Sequence, residues 1–257
     1  MRFIAFFTRK PLCPAGHTLF ILAALVCVAL ESVPAFDRFF QACFFRDGAW
    51  LLTKEFHRHY KGLLYTLPKV LVGISGVAFL LLFLAASIGS GAKARLAAWK
   101  RPALLAALCI ALVPLLVAGI KAVSGVYSPI DLLPYGGRHP HTGLLQQLWT
   151  YGHTAGGRSF PAGHASGGFA LMALYYLPLS RFAKRATLAG GLGAGWLMGL
   201  YQTARGEHFL SHTLTTMCIA LAVIVFLAGL LRIPSASGHS MTPPDAEHSS
   251  EYNSLRP

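Results

Sequence analysis

The chain has 257 residues, of which 54% are hydrophobic and only 12% charged, and its formal net charge is +13 at pH 7. Soluble domains average about 45–50% apolar and about 25% charged residues. Those values exclude a water-soluble globular domain. Cutting the sequence at every Asp, Glu, Lys and Arg leaves six apolar runs, 11–30, 70–92, 102–120, 159–180, 186–204 and 208–231, each of 19 to 24 residues. An α-helix needs about 20 residues to cross a hydrocarbon core of about 30 Å. The sequence therefore predicts an all-α fold, an integral membrane bundle of six transmembrane helices.

In chain order, Arg2, Arg9 and Lys10 precede the first run; this start, FILAALVCVAL followed by SVPAF, also resembles a secretory signal peptide with a small-residue cleavage site. The segment 31–69 follows, with Phe36, Phe40 and Phe44 four residues apart and Trp50 nearby. An amphipathic aromatic stretch of this kind suits the headgroup level, as an interfacial anchor or as an entry surface for a lipid. His57 and His59 lie in it without a Cys or acidic ligand at helical spacing, and read as a solvated face.

Lys93, Arg95, Lys100 and Arg101 separate the second and third runs, Arg181, Lys184 and Arg185 the fourth and fifth, and Arg232 follows the sixth. Basic clusters mark the cytoplasmic side. The charge excess is thus a topology signal and predicts no nucleic-acid partner. Both termini fall inside, and 31–69, 121–158 and 205–207 outside. The charge-free stretch 139–157 holds three His, two Gln and four Gly, and stays out of the bilayer. In the fifth run Gly191, Gly195 and Gly199 form a small-residue stripe suited to close helix packing. Residues 1–232 read as one membrane domain and 233–257, rich in Pro and Ser, as a disordered cytoplasmic tail. The five cysteines follow neither a disulfide framework nor a zinc spacing.

By the parity of the crossings, Lys121, Asp131, the stretch Arg158 to His164 and the stretch Arg205 to His212 all meet at the outer face. Ionisable groups at such depth are costly to place and mark functional sites. In SFPAGHASGG, Gly163 gives backbone freedom at a helix start, whose unpaired N–H groups and dipole attract a phosphate. Lys121, Arg158 and Arg205 add three cations to the imidazoles, so an anion, most plausibly a phosphate, is the expected guest. His208 and His212 are four apart and share a helix face if a helix begins by residue 208. Without the longer H-E-x-x-H pattern, and with Arg205 opposing a divalent cation, they predict no metal. One nucleophilic and one proton-donating imidazole around a phosphate explains more of these residues.

Lys121, the FPAGH at 160–164 and the RGEHFLSH at 205–212 resemble the three-part signature of the type 2 phosphatidic-acid phosphatase family, in its membrane-bound bacterial form, over roughly residues 66–231. The resemblance implies a metal-independent phosphatase without a cofactor, working through a phosphohistidine on a lipid phosphate or pyrophosphate. It implies His208 as nucleophile, His164 as general acid, and Lys121 and Gly163 as phosphate ligands. Its setting would be a bacterial inner membrane with the site facing the periplasm. Phosphotransfer to a second lipid, or a non-catalytic anion or lipid carrier, are the alternatives. Which lipid is bound, and the oligomeric state, are not legible.

The chain departs from the family pattern at four places. Ser128 stands where the first motif has Arg, Ala162 where the middle motif has Ser, Gln202 where an Arg precedes the nucleophile, and His212 where an Asp follows it. Arg205 and Arg158 are the candidates to replace a missing arginine, and Asp131 or Glu207 to supply a carboxylate. In the place of the Asp, His212 is expected to fix the tautomer of the nucleophilic ring.

Overall fold

The computed structural model describes residue 22 and residues 34–88, 94–150 and 156–233. The first apolar run, apart from Leu22, and the tail from residue 234 lie outside the described residues. So do Cys13, Cys27 and Lys93.

The described chain is mostly helical. It opens with α1 (Pro34–Gln41), a small hairpin of β1 (Phe45–Arg46) and β2 (Ala49–Trp50), and α2 (Lys54–Lys61), whose N-cap Thr53 accepts a hydrogen bond from the Phe56 amide at 3.2 Å. A π-helical segment, Gly62–Thr66, joins α2 to α3 (Leu67–Ser87) without a break. The helix thus starts well before residue 70, where the charge-free run begins. Pro68 lacks an N–H and its ring would crowd the carbonyl four residues back. The wider π turn, in which the Leu67 amide reaches Gly62 O, carries the helix past it.

Next come α4 (Ala94–Val123), the short α5 (Leu144–Thr150), α6 (Gly163–Ala170), α7 (Arg181–Thr203) and α8 (Leu210–Leu230). Two expectations need correction. The run 159–180 is not one long helix: α6 tightens into a 3-10 turn at Leu171–Tyr176 and stops before Pro178. Together these rise about 24 Å, less than the hydrocarbon thickness. And α8 begins at Leu210, so His208 precedes it in an extended turn and shares no helix face with His212.

Among the described residues, three helices are long and apolar enough to cross a membrane: Lys54–Ser87, Leu96–Val123 and Leu210–Leu230. The chain is a helical membrane protein. On α3 no residue is buried, and Leu71, Ile74, Val77 and Leu81 all point away from the protein, an apolar surface suited to contact with lipid.

The core lies between α4, α6 and α8, with Leu105, Cys109, Val113, Phe169, Ile224 and Leu227 interlocked. The glycine stripe of α7 is a packing surface, as expected. A Cβ on Gly195 would enter the Phe169 ring, one on Gly199 would meet Thr213, and one on Gly191 would stand 2.5 Å from the Met172 amide nitrogen. Removing those side chains lets α7 press directly on α6 and α8, which places the outer end of α7 against the motif residues.

Candidate active site

Three short tethers assemble the site at one end of the bundle. Backbone pairing of Gly125 with Gly157, and of the Ser159 amide with Val126 O at 2.8 Å, ties the end of α4 to the approach to α6. The Ala162 amide reaches His212 O at 3.3 Å, and Thr216 Oγ1 donates to Ala162 O at 3.2 Å, which ties α6 to α8. The third tether is the turn 204–206, where Gly206 has φ +76° and lies flat under the Trp50 ring; a Cβ there would sit 2.5 Å from the indole. Only glycine combines that left-handed backbone with that clearance.

These tethers enclose a polar cavity of about 310 Å³ lined by Lys121, Arg158, His164, Arg205 and His208. All five are among the site residues expected from the sequence. Gly163 is beside them: a Cβ on it would lie 4.0 Å from Lys121 Nζ, so the amino group faces the first turn of α6. Ser128 and Glu207 also reach the cavity. Asp131 is exposed and does not line it, so it offers no carboxylate there.

His164 is the second residue of α6 and is 6% exposed. Both its ring nitrogens are buried and no side chain bonds them. The Tyr65 ring stacks on it at 4.3 Å and 9°, and Lys69 Nζ donates to Tyr65 Oη at 2.9 Å. Nothing in the sequence motifs pointed to Tyr65; it reaches the site through the π turn of residues 62–66. His57 was expected on a solvated face and instead lines the cavity, with Nδ1 2.7 Å from Tyr201 Oη on α7. Lys61, one turn on, lines it too. The helical spacing of His57, Lys61 and Tyr65, four residues apart, was the available signal.

His208 is 5% exposed, and burial, with the neighbouring His212 ring and Lys121 amino group acting in the same direction, holds its imidazole well below the usual pKa. Its neutral form therefore prevails at neutral pH, as a nucleophile requires. His212 is fully buried behind it and does not line the cavity. The two ring centroids are 5.8 Å apart, and Ser159 Oγ lies 3.1 Å from His208 Nδ1 and 3.4 Å from His212 Nδ1. The expected partnership of His212 with the nucleophile thus has a hydroxyl at its centre, on a residue the sequence motifs did not single out.

The cavity is strongly cationic, with Lys61, Lys121, Arg158 and Arg205 against Glu207. Glu207 pairs with Arg205 at 3.1 Å. Two buried imidazoles facing four cations can bind a phosphoryl group and pass it to nitrogen. A family model described as the PAP2 superfamily matches residues 102–232, just over half of the chain. No curated protein and no solved structure matches it. The chain belongs to the PAP2 superfamily, whose members are phosphatases acting on phosphate esters.

Proposed function

We propose that the protein hydrolyses a lipid phosphate or pyrophosphate through a phosphohistidine. The observation that carries this reading is the convergence of His164 and His208 on one cavity with Lys121, Arg158 and Arg205. The cations neutralise the non-bridging oxygens as charge develops on them. The lone pair of His208 Nε2 forms an N–P bond as the P–O bond to the leaving group breaks, and His164 delivers a proton to the departing oxygen. The phosphate dianion favours the protonated form of His164 by its opposite charge. Water then attacks phosphorus, its proton goes to His164, and the N–P bond breaks to return neutral His208. His212 backs the nucleophile through the Ser159 hydroxyl that lies between the two rings, and Gly163 offers its backbone N–H to the phosphate.

The location supports a lipid substrate. The cavity opens at the ends of helices whose other faces are apolar, and Phe39, Leu51 and Leu63 are exposed on the segments around it. We place residues 1–232 in a bacterial inner membrane as a single domain of six crossings, the one at 159–180 made by α6, its 3-10 turn and the non-helical residues on either side, with the cavity facing the periplasm and 233–257 as a cytoplasmic tail. The basic clusters between alternate helices support that orientation.

The test is phosphate release by the purified full chain in detergent, from a panel of phosphatidate, phosphatidylglycerophosphate and an isoprenyl pyrophosphate, with chelator present. Release should persist under chelation and fall by about 10²–10⁴-fold or more in His208→Ala and His164→Ala. Activity that disappears with chelator and returns with zinc refutes the mechanism.

A further inference from the structure

We propose that Ser159 is a positioning residue that fixes the tautomer and ring orientation of His208 by accepting its Nδ1–H. This rests on the reading of His208 as nucleophile. Ser159 precedes the FPAGH motif and is 1% exposed. Its hydroxyl has a single proton, and the Glu207 carbonyl oxygen 2.6 Å away can only accept, so that proton is committed to Glu207. Toward the imidazoles Ser159 Oγ can then only accept. At 3.1 Å from His208 Nδ1 it requires the proton of the neutral ring to sit on Nδ1, which leaves the lone pair on Nε2.

The need for such a support is local. His208 lies in the turn before α8, outside the regular helix, so its ring direction is not set by helical packing. Ser159 grips both the backbone of the preceding residue and the ring itself, and its own amide is anchored on Val126 O. One side chain therefore couples the segment that carries His164 to the one that carries His208. A hydroxyl performs the orienting part of what a carboxylate does for an imidazole, without the full negative charge.

The experiment combines kinetics on dioleoyl phosphatidate in mixed micelles with 15N NMR of histidine-labelled full chain. In the wild type, the His208 signals should report Nδ1–H and unprotonated Nε2. Ser159→Ala should lower kcat by about 10–100-fold while KM moves less than about threefold, since a small misplacement of a reacting group costs on that order. Its His208 signals should shift toward a tautomer mixture. Ser159→Ala combined with His212→Asp brings a carboxylate to the position whose ring nitrogen lies 3.4 Å from Ser159 Oγ, and should recover kcat about tenfold over Ser159→Ala, which a merely structural serine would not allow. The assignment is overturned if His208 carries its proton on Nε2 in the wild type, if Ser159→Ala keeps kcat within about twofold, or if the added carboxylate recovers nothing. Should the wild type release no phosphate from any substrate, the phosphatase reading fails, and the NMR tautomer decides the Ser159 assignment by itself.

Discussion

Gln202 Oε1 accepts a 2.6 Å hydrogen bond from Arg205 Nη1. Gln202 occupies the place of a family arginine, and instead of supplying the cation it holds one that comes from three residues further along the turn. Glu207 takes the other guanidinium nitrogen at 3.1 Å. Arg205 is thus clamped into the cavity wall by two acceptors. Arg205→Ala should lower kcat/KM by about 10²–10³-fold, roughly 3–4 kcal/mol of transition-state stabilisation. Gln202→Leu, which loosens the clamp and keeps the cation, should cost about tenfold or less. Steady-state kinetics of both variants on one lipid phosphate decide it; equal losses would mean that Gln202 itself binds the phosphate.

The buried position of His208 sets the acid limb of the rate profile. Burial and the nearby His212 and Lys121 disfavour the imidazolium, so the ring stays neutral as pH falls below the ordinary imidazole value of about 6.5. Protonation removes the attacking lone pair. kcat/KM, which reports the free enzyme, should hold through the ordinary imidazole value and decline only below it. A limb at 6.5 or above, measured in kcat/KM between pH 4 and 9, would show that some other group limits the reaction.

Neighbouring glycines on α7 should respond oppositely to a methyl group. A Cβ on Gly190 meets open space, whereas one on Gly191 meets the Met172 amide nitrogen at 2.5 Å and the Leu171 carbonyl carbon at 2.8 Å. Backbone atoms cannot step aside as a flexible side chain does. Gly191→Ala should destabilise by about 1–3 kcal/mol, the usual range for overpacking, and Gly190→Ala should stabilise by about 0.4–1 kcal/mol, because Ala restricts the unfolded chain more than Gly does. Thermal unfolding in detergent compares them directly.

Arg138 is exposed on the segment between α4 and α6. A cysteine there, in a Cys43→Ser background, should react with a membrane-impermeant maleimide added to spheroplasts, because the proposed topology puts 121–158 in the periplasm. Reaction only after the inner membrane is breached would invert the orientation.

The sequence revealed most about the parts in which chemistry is concentrated in a contiguous motif. FPAGH and RGEHFLSH were legible because several unusual residues stand together, and five of the seven expected site residues line one cavity. Helix ends were less legible. Charge-free runs mark where a helix can be buried in lipid, yet hydrogen bonding continues into polar residues, so Lys54–Ser87 begins at a charged turn. Conversely, Pro178 and the glycines of 163–168 shorten the helical part of a run that looked long enough to span. The spacing of His57 and Tyr65 puts them on one helix face, but that this face lines the site depends on tertiary contacts with α7 and α6. Ser159 carries no chemical signal in the sequence, because a single serine gains its role only from the two imidazoles and the carbonyl around it.

The amide of Ser211, in the first turn of α8, donates to Asp37 Oδ1 at 3.0 Å, and the Ser211 hydroxyl also bonds that carboxylate. Asp37 comes from α1, 174 positions earlier, and does for α8 what its own N-cap Phe209 does not. Gln41 on the same helix donates to Thr203 O at 3.1 Å, closing the end of α7. Both contacts start outside residues 102–232. The matched region is therefore not a transplantable module: excised, it would lose two helix closures together with His57, Lys61 and Tyr65. Swapping this stretch between relatives should fail unless α1 and α2 travel with it.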